Sequence, residues 1–403
     1  MEKSDLNTTW QMPPLRQVLG VAGAWLVFIG VLVISPPKGM SPQALSTLAV
    51  VALAVIIWVT EAIPVGITGL IIPMLLILTG ALPKMPDAFA GFTSHTTYIC
   101  LGAFMLAAFM KLAGLDRRIA LTILEKFKVD KADKLISGMF LVNFLLALLI
   151  PATAARGATL LPVVKGLTKL FGNSTAERKA RSAIVIQCMV YATMICGVVV
   201  MTAHMPNLIM VNLFEAELGY SVGYLQWFWL HAPMLLMLVP LYYWTQWYFK
   251  TKSVSVPGGV ERIYIIKEEL GPTTRVEWIL LGLFCLTAVA WATSKGVFGI
   301  EPGIMTIVVL NVFFIPGLLP WKWKMIQENT AWGTFLFLAG AMSLSVAMSK
   351  TGLAKYLADL AEPMAFGHHW ILVLLILMLV THVIRIGMLS NVAAIAFLAP
   401  VMV

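Results

Sequence analysis

Charged residues are scarce in this chain: Asp, Glu, Lys and Arg make up 12% of its 403 residues, where soluble domains carry about a quarter. An ordinary soluble enzyme of two or three domains is excluded on that ground. Cysteine is scarcer still. Cys100, Cys188, Cys196 and Cys285 all fall in apolar runs without Cys-x-x-Cys spacing, which argues against a disulfide framework or a zinc site and reads as small core residues. The histidines, His95, His204, His231, His368, His369 and His382, are scattered, so no metal-ligand cluster is expected. The short alternating segments of a membrane β-barrel are missing. The first apolar run ends in Ser35-Pro36-Pro37-Lys38 rather than a small-x-small cleavage site, so it reads as a permanent span and not as a signal peptide. No nucleophile with a base, and no metal cluster, lies at one membrane depth, so a membrane-embedded enzyme has no support.

What the chain does have is apolar length: 60% of it is hydrophobic, and each crossing of a core about 30 Å thick takes about 20 apolar residues. This predicts an all-α polytopic membrane protein with about nine full spans, near 18–35, 44–60, 64–82, 97–114, 183–203, 228–247, 278–294, 302–320 and 332–349. Residues 116–129 form a polar amphipathic stretch. Two further pairs of apolar arms read as re-entrant hairpins. In the first, arms 135–150 and 158–170 meet at Pro151 to Gly157, and the second arm is too short to cross. In the second, arms 370–388 and 393–403 close the chain. The expected divisions are an N-terminal span and flank at 1–43, a first repeat at 44–249 with its hairpin at 133–172, a cytoplasmic linker at 250–276, and an incomplete second repeat at 277–403 with its hairpin at 369–403.

The net charge of +9 is accounted for by sidedness. With a cytoplasmic N-terminus, 20 basic residues fall inside and five outside, while Lys111, Arg156 and Arg385 lie at membrane depth or its edge. That asymmetry supports the orientation, places the chain in the cytoplasmic membrane, and removes any need for a nucleic-acid partner.

One offset of 238 residues aligns three separated segments of the two halves. Pro64 to Thr68 falls on Pro302 to Thr306, Ala103 to Leu115 on Ala341 to Leu353, and Ala152 to Val163 on Ser390 to Val401. The matched segments begin on opposite sides in the charge-derived topology, which makes this an inverted repeat, the architecture of secondary transporters.

In that architecture, broken helices direct partly positive N-termini at an anion. Thr153 and Arg156 supply a hydroxyl and a fixed charge at one tip; Ser390 and Asn391 supply polar atoms at the other, with Arg385 five residues before Ser390. Two arginines favour a carboxylate, phosphate or sulfate as the small anionic substrate. The structural alternatives are interhelical hydrogen bonds for the small polar residues and snorkelling or pairing for the arginines. A third polar element is Thr202 to Asn207, where Pro206 breaks an apolar span that contains Gly197 and frees carbonyls for an ion or substrate. An ordinary helix end is the alternative. Glu61, between two spans, suits a structural or gating role as well as ion contact.

Trp58-Val59-Thr60-Glu61-Ala62-Ile63-Pro64, with Thr68 and Pro73, resembles the signature of the divalent-anion:sodium symporter family, carriers of di- and tricarboxylates or sulfate. The resemblance continues through Ala103 to Leu115 with Arg117-Arg118, Thr202 to Asn207, and Ala339-Gly340 to Leu353. It implies a homodimer in the lipid bilayer, with a scaffold domain and an elevator-like transport domain. The family's duplicated Ser-Asn-Thr tips correspond to Ala152-Thr153-Ala154 and Ser390-Asn391-Val392, and the ion-binding positions to Ala152, Gly197 and Asn391. Ala152 and Ala154 offer no side-chain oxygen to sodium. The tip from Pro151 to Gly157 is similar to that of the family's exchangers, and Arg156 is hypothesised to replace a cation there.

The expectation is therefore a secondary active transporter of succinate-, malate-, 2-oxoglutarate- or citrate-class anions. The alternatives are a sodium-coupled sulfate or carboxylate symporter and a truncated, non-transporting membrane protein. No cofactor is expected, with Na+ left open as a coupled ion. Because the offset carries Asn207 past Val403, the last two family spans are expected to be missing, as in a C-terminally truncated product.

Overall fold

The computed structural model describes residues 13–150, 153–365 and 369–386, with 391, 394, 395, 398 and 399; the hairpin-tip residues Ala152 and Ser390 lie outside them. The helices in chain order are α1 Leu15–Val33, α2 Pro42–Thr60, α3 Val65–Leu78, α4 Met85–Ala88, α5 Ala90–Thr93, α6 His95–Ala113, α7 Leu115–Lys126, α8 Ala132–Leu149, α9 Thr153–Thr168 and α10 Thr175–Ile186. A π-helical turn, Gln187–Tyr191, leads into α11 Ala192–Val199, and a 3-10 turn, Met201–Ala203, into α12 Met205–Leu218. There follow α13 Tyr224–His231, α14 Leu238–Phe249, α15 Gly259–Glu269, α16 Arg275–Phe298, α17 Pro302–Phe313, α18 Trp323–Asn329, α19 Trp332–Lys350, α20 Leu353–Ala365 and α21 Trp370–Ile386.

Local chemistry sets these boundaries. Ser41 accepts from the Ala44 N–H at 3.0 Å and Pro42 opens α2, a pre-organised start. Thr274 and Glu277 form a capping box at α16, as Ser174 and Glu177 do at α10. The 238-residue offset recurs in the helix starts: α4 and α18, α6 and α19, α7 and α20, and α8 and α21 begin within one residue of it. The stops repeat as well. Glu61 and Gly299 end α2 and α16 in left-handed conformation, at φ 50° and 64°. Gly114 and Gly352 turn the chain between α6 and α7 and between α19 and α20.

Eight helical segments among the described residues are long and apolar enough to cross a membrane. Seven were expected as full spans, and the eighth is α8, expected as a hairpin arm. The expected spans at 64–82 and 302–320 contain helices of only 14 and 12 residues, roughly 21 and 18 Å long. Thr79 caps α3, Gly80 turns at φ 71°, and Gly317 turns at φ 83°; an apolar run does not register such helix ends. Residues 250–276, expected as a linker, contain α15. Of the four cysteines, Cys285 is exposed and the other three are buried.

The chain forms two compact units: α1 to α5 with α19 (from Gly333) to α21, and α6 to α18. Each therefore combines the leading part of one repeat with the trailing part of the other. In the first unit, Gly340 of α19 lies so close to Gly69 of α3 that a Cβ would strike the Gly69 backbone. In the second, Gly102 of α6, the repeat equivalent of Gly340, lies against Thr306 of α17. Such close backbone approach is how membrane helices gain packing without a hydrophobic drive between them.

Candidate functional site

The site in the second unit arises from two interrupted helices. α8 stops at Leu149, Ile150 turns to φ −112°, ψ 111°, and the chain is helical again from Thr153. Further along, Val200 is extended (φ −101°, ψ 119°), three residues form the 3-10 turn, His204 is extended, and α12 opens with Pro206 in its first turn. Interrupting a helix leaves carbonyls without their usual partners, and a buried backbone group requires another.

Three side chains supply these partners. Asn207, 4% exposed, places Nδ2 3.0 Å from Gly197 O, 3.3 Å from Val198 O and 3.1 Å from Val200 O. Trp227 Nε1 donates to Val198 O at 3.0 Å. Arg156 is the largest fully buried side chain among the described residues. Its Nη1 donates to Ile150 O at 2.9 Å and Ala203 O at 2.8 Å, and its Nη2 to Thr193 O at 3.0 Å. The guanidinium thus joins the end of α8, the first turn of α11 and the 3-10 turn, and has no carboxylate partner among the described residues. Its Nε is buried with no partner among them. Fixed positive charge surrounded by carbonyl oxygens is the arrangement a bound cation would otherwise adopt.

Thr153 lies beside it: Oγ1 donates to Ala203 O at 3.3 Å and sits 2.8 Å from His204 Nδ1. Gly197 keeps the approach open, since a Cβ there would fall 2.9 Å from Arg156 Nη2 and 3.3 Å from Thr153 Oγ1. Behind these groups, Thr193 Oγ1 donates to Asn143 Oδ1 at 2.8 Å, and Asn143 Nδ2 donates to Met139 O and Cys188 O at 2.9 Å. Cys188 lies in the π-helical turn, a form associated with functional positions. Thr202 is buried and hydrogen-bonded to Tyr224.

A titratable group anchors α9 from outside the spans. Asp116 at the start of α7 is 5% exposed. It accepts from Thr159 Oγ1 of α9 at 2.8 Å and from the Arg117 N–H at 2.7 Å. Burial pushes its carboxyl above the ordinary carboxylate range, against the pull of those hydrogen bonds.

Thr153, Arg156, Gly197 and Asn207 are therefore assembled around one helix break, with Thr202 in the break itself and Pro206 in the first turn of α12. Arg385 and Asn391 belong to the other unit, where Arg385 Nη2 donates to Asn391 Oδ1. Sequence reasoning missed His204 as the partner of Thr153, having considered it only as a metal ligand. It also missed Asn143 and Thr193. A lone Asn in an apolar arm is itself a signal, because polar residues at membrane depth need partners.

The model for the "sodium:sulfate symporter transmembrane region" matches residues 17–403. Among similar proteins, a "membrane protein" of Cupriavidus necator is 28% identical over 97% of this chain and 79% of its own length. A citrate/succinate antiporter of Escherichia coli is 27% identical over 83% of this chain and 72% of its own. A sodium-dependent dicarboxylate transporter of Staphylococcus saprophyticus is 25% identical over 96% and 78%.

Proposed function

Since the chain belongs to the divalent-anion:sodium symporter family, we propose that it is a secondary transporter of dicarboxylate-class organic anions and that it works by exchange. The observation that carries the exchange reading is Arg156: its guanidinium occupies the carbonyl cage at the helix break. A sodium ion placed among the same oxygens would face a permanent like charge, without a Ser or Thr hydroxyl from Ala154. Relatives bearing both names, a citrate/succinate antiporter and sodium-dependent dicarboxylate transporters, support the substrate class.

Within this reading, Arg156, Thr153, Thr202, Pro206 and Asn207 form or shape the substrate site in their unit, with Gly197 leaving it room. Arg385, Ser390 and Asn391 are the corresponding candidates in the second hairpin. α8 with α9 would be the first re-entrant hairpin, the N-terminus cytoplasmic, the assembly a homodimer in the cytoplasmic membrane, and the movement of elevator type. The 20-to-5 division of basic residues supports the orientation.

The test is uptake of labelled succinate, malate, citrate and sulfate into proteoliposomes, with and without sodium and with and without internal counter-substrate. Exchange predicts uptake that requires internal carboxylate and persists without sodium. A strict sodium requirement would overturn exchange in favour of symport. Absence of flux under every condition would overturn transport itself.

A further inference from the structure

A cavity of about 300 Å³ lies on the other side of the helix break. Met201 of the 3-10 turn and Leu208 of α12 line it, as does Tyr224, which is hydrogen-bonded to Thr202. Four element ends meet around it: the start of α6, the last turn of α12, the end of α16 and the residue before α17. They carry His95, Glu215, Lys295 and Glu301.

A single atom, His95 Nε2, lies 3.7 Å from Glu215 Oε2 and 3.6 Å from Glu301 Oε2. Lys295 Nζ is 3.1 Å from Glu301 Oε1 and 2.6 Å from Ser221 Oγ. Glu301 thus keeps a cationic partner at any pH, whereas Glu215 has no cationic partner among the described residues except His95. The other elements around His95 add little charge. α13 presents the uncharged Gln226 and Tyr224, α6 carries Tyr98 one turn along, and Lys111 stands at the far end of α6 against Asn329. At that far end, Arg118 is paired with Glu277 at 2.6 Å, a bond that does not depend on a titration near neutrality.

We propose that His95 is a proton-binding positioning residue that sets the width of this cavity. With the imidazole protonated, one positive charge lies between two carboxylates and draws the end of α12 towards the start of α17. With it neutral, Glu215 loses its one cationic partner among the described residues and is no longer drawn towards Glu301, whose charge Lys295 already offsets. Because Met201 of the 3-10 turn and Leu208 of α12 line the cavity, a narrowed cavity stiffens the segment that also carries Ala203 O and Asn207. Acid pH would then slow the conformational cycle. This consequence for flux rests on the transport reading; the proton site does not.

The experiment separates the two. Ala292 lines the cavity, so Ala292→Cys is made in a Cys285→Ser background that removes the exposed native thiol. Labelling by a hydrophilic maleimide is followed in proteoliposomes from about pH 5.5 to 8, the range in which imidazoles titrate. Rates are compared at each pH with the same protein carrying His95→Gln or His95→Lys, which cancels the thiol's own pH dependence. The proposal expects the parent to match His95→Gln near the alkaline limit and to fall several-fold below it, towards His95→Lys, at the acid limit. Glu215→Gln is expected to remove most of that divergence. A parent-to-His95→Gln ratio that does not change with pH overturns the proposal, as does a Glu215→Gln protein with full divergence. Uptake in the same vesicles should show the same pH dependence relative to His95→Gln. If labelling behaves as expected but no substrate enters at any pH, the proton site stands and the transport reading fails.

Discussion

Each pair of arms expected to form a hairpin carries one arginine, and the two do not correspond. The repeat partner of Arg156 is Ala394, and that of Arg385 is Ala147; both alanines are buried. Arg156 is itself wholly buried and bound to three backbone carbonyls, whereas Arg385 is exposed and donates to the side chain of Asn391. The repeat thus governs helix starts, turns and the close approaches at Gly102 and Gly340, while these two arginines are placed singly. Asp116 follows the same rule, since its repeat partner is Ala354. A duplicated backbone supplies two similar frames, and single charged substitutions make them chemically different.

Substitutions should expose that difference. The largest effect is expected from Arg156→Ala, which removes the guanidinium donor from three buried carbonyls, of which Ala203 O keeps only the longer bond from Thr153; at about 1–3 kcal/mol for each group left unsatisfied, the melting temperature in detergent should fall sharply and uptake should drop to background. Arg156→Lys, which keeps the charge but loses the planar fork, should fall in between; equal behaviour of Lys and wild type would show that charge alone matters. Asn207→Ala removes a donor shared by three carbonyls and should cost about 2 kcal/mol, read as a lower midpoint of thermal unfolding.

Asp116→Asn should act in a pH-dependent way. Burial raises the carboxyl, so the folded state binds its proton more tightly than the unfolded chain. That contribution favours folding in acid and is lost as pH rises through the raised value. The variant's melting temperature relative to wild type should therefore climb as pH rises above about 4, and a flat difference would contradict the burial argument. Arg385→Ala is expected to do least, changing stability by under about 1 kcal/mol. If it matches Arg156→Ala in a melting experiment, the contrast between the two arginines is wrong.

Much of the frame was legible in the sequence because its signals are local. Pro64 and Pro302 mark helix starts, Gly114 and Gly352 mark stops, and one offset relates them. Span lengths at 64–82 and 302–320 were overestimated because hydropathy continues past Gly80 and Gly317, where the backbone turns. Arg156, Asn207 and Thr153 stood out as polar residues beside helix breakers. Their partners did not, since those partners are mostly carbonyl oxygens, and which carbonyls are freed depends on where a helix stops. The π-helical turn at Gln187–Tyr191 has no residue signature in QCMVY, and the grouping of His95, Glu215 and Glu301 joins His95 to residues 120 and 206 positions away in sequence.

The exchange of repeat parts between the two units also constrains how the protein is made. α3 packs on α19, yet about 240 residues separate Thr93 from Gly333. At a synthesis rate of about 5–20 residues per second, the Gly69 face of α3 waits roughly 12–48 s for the helix that covers it. During that interval α6 to α18 can assemble from residues already made, so the second unit should be complete before the first. A ribosome pause just after Trp332 would lengthen the exposure of α3 and leave the assembled second unit unaffected.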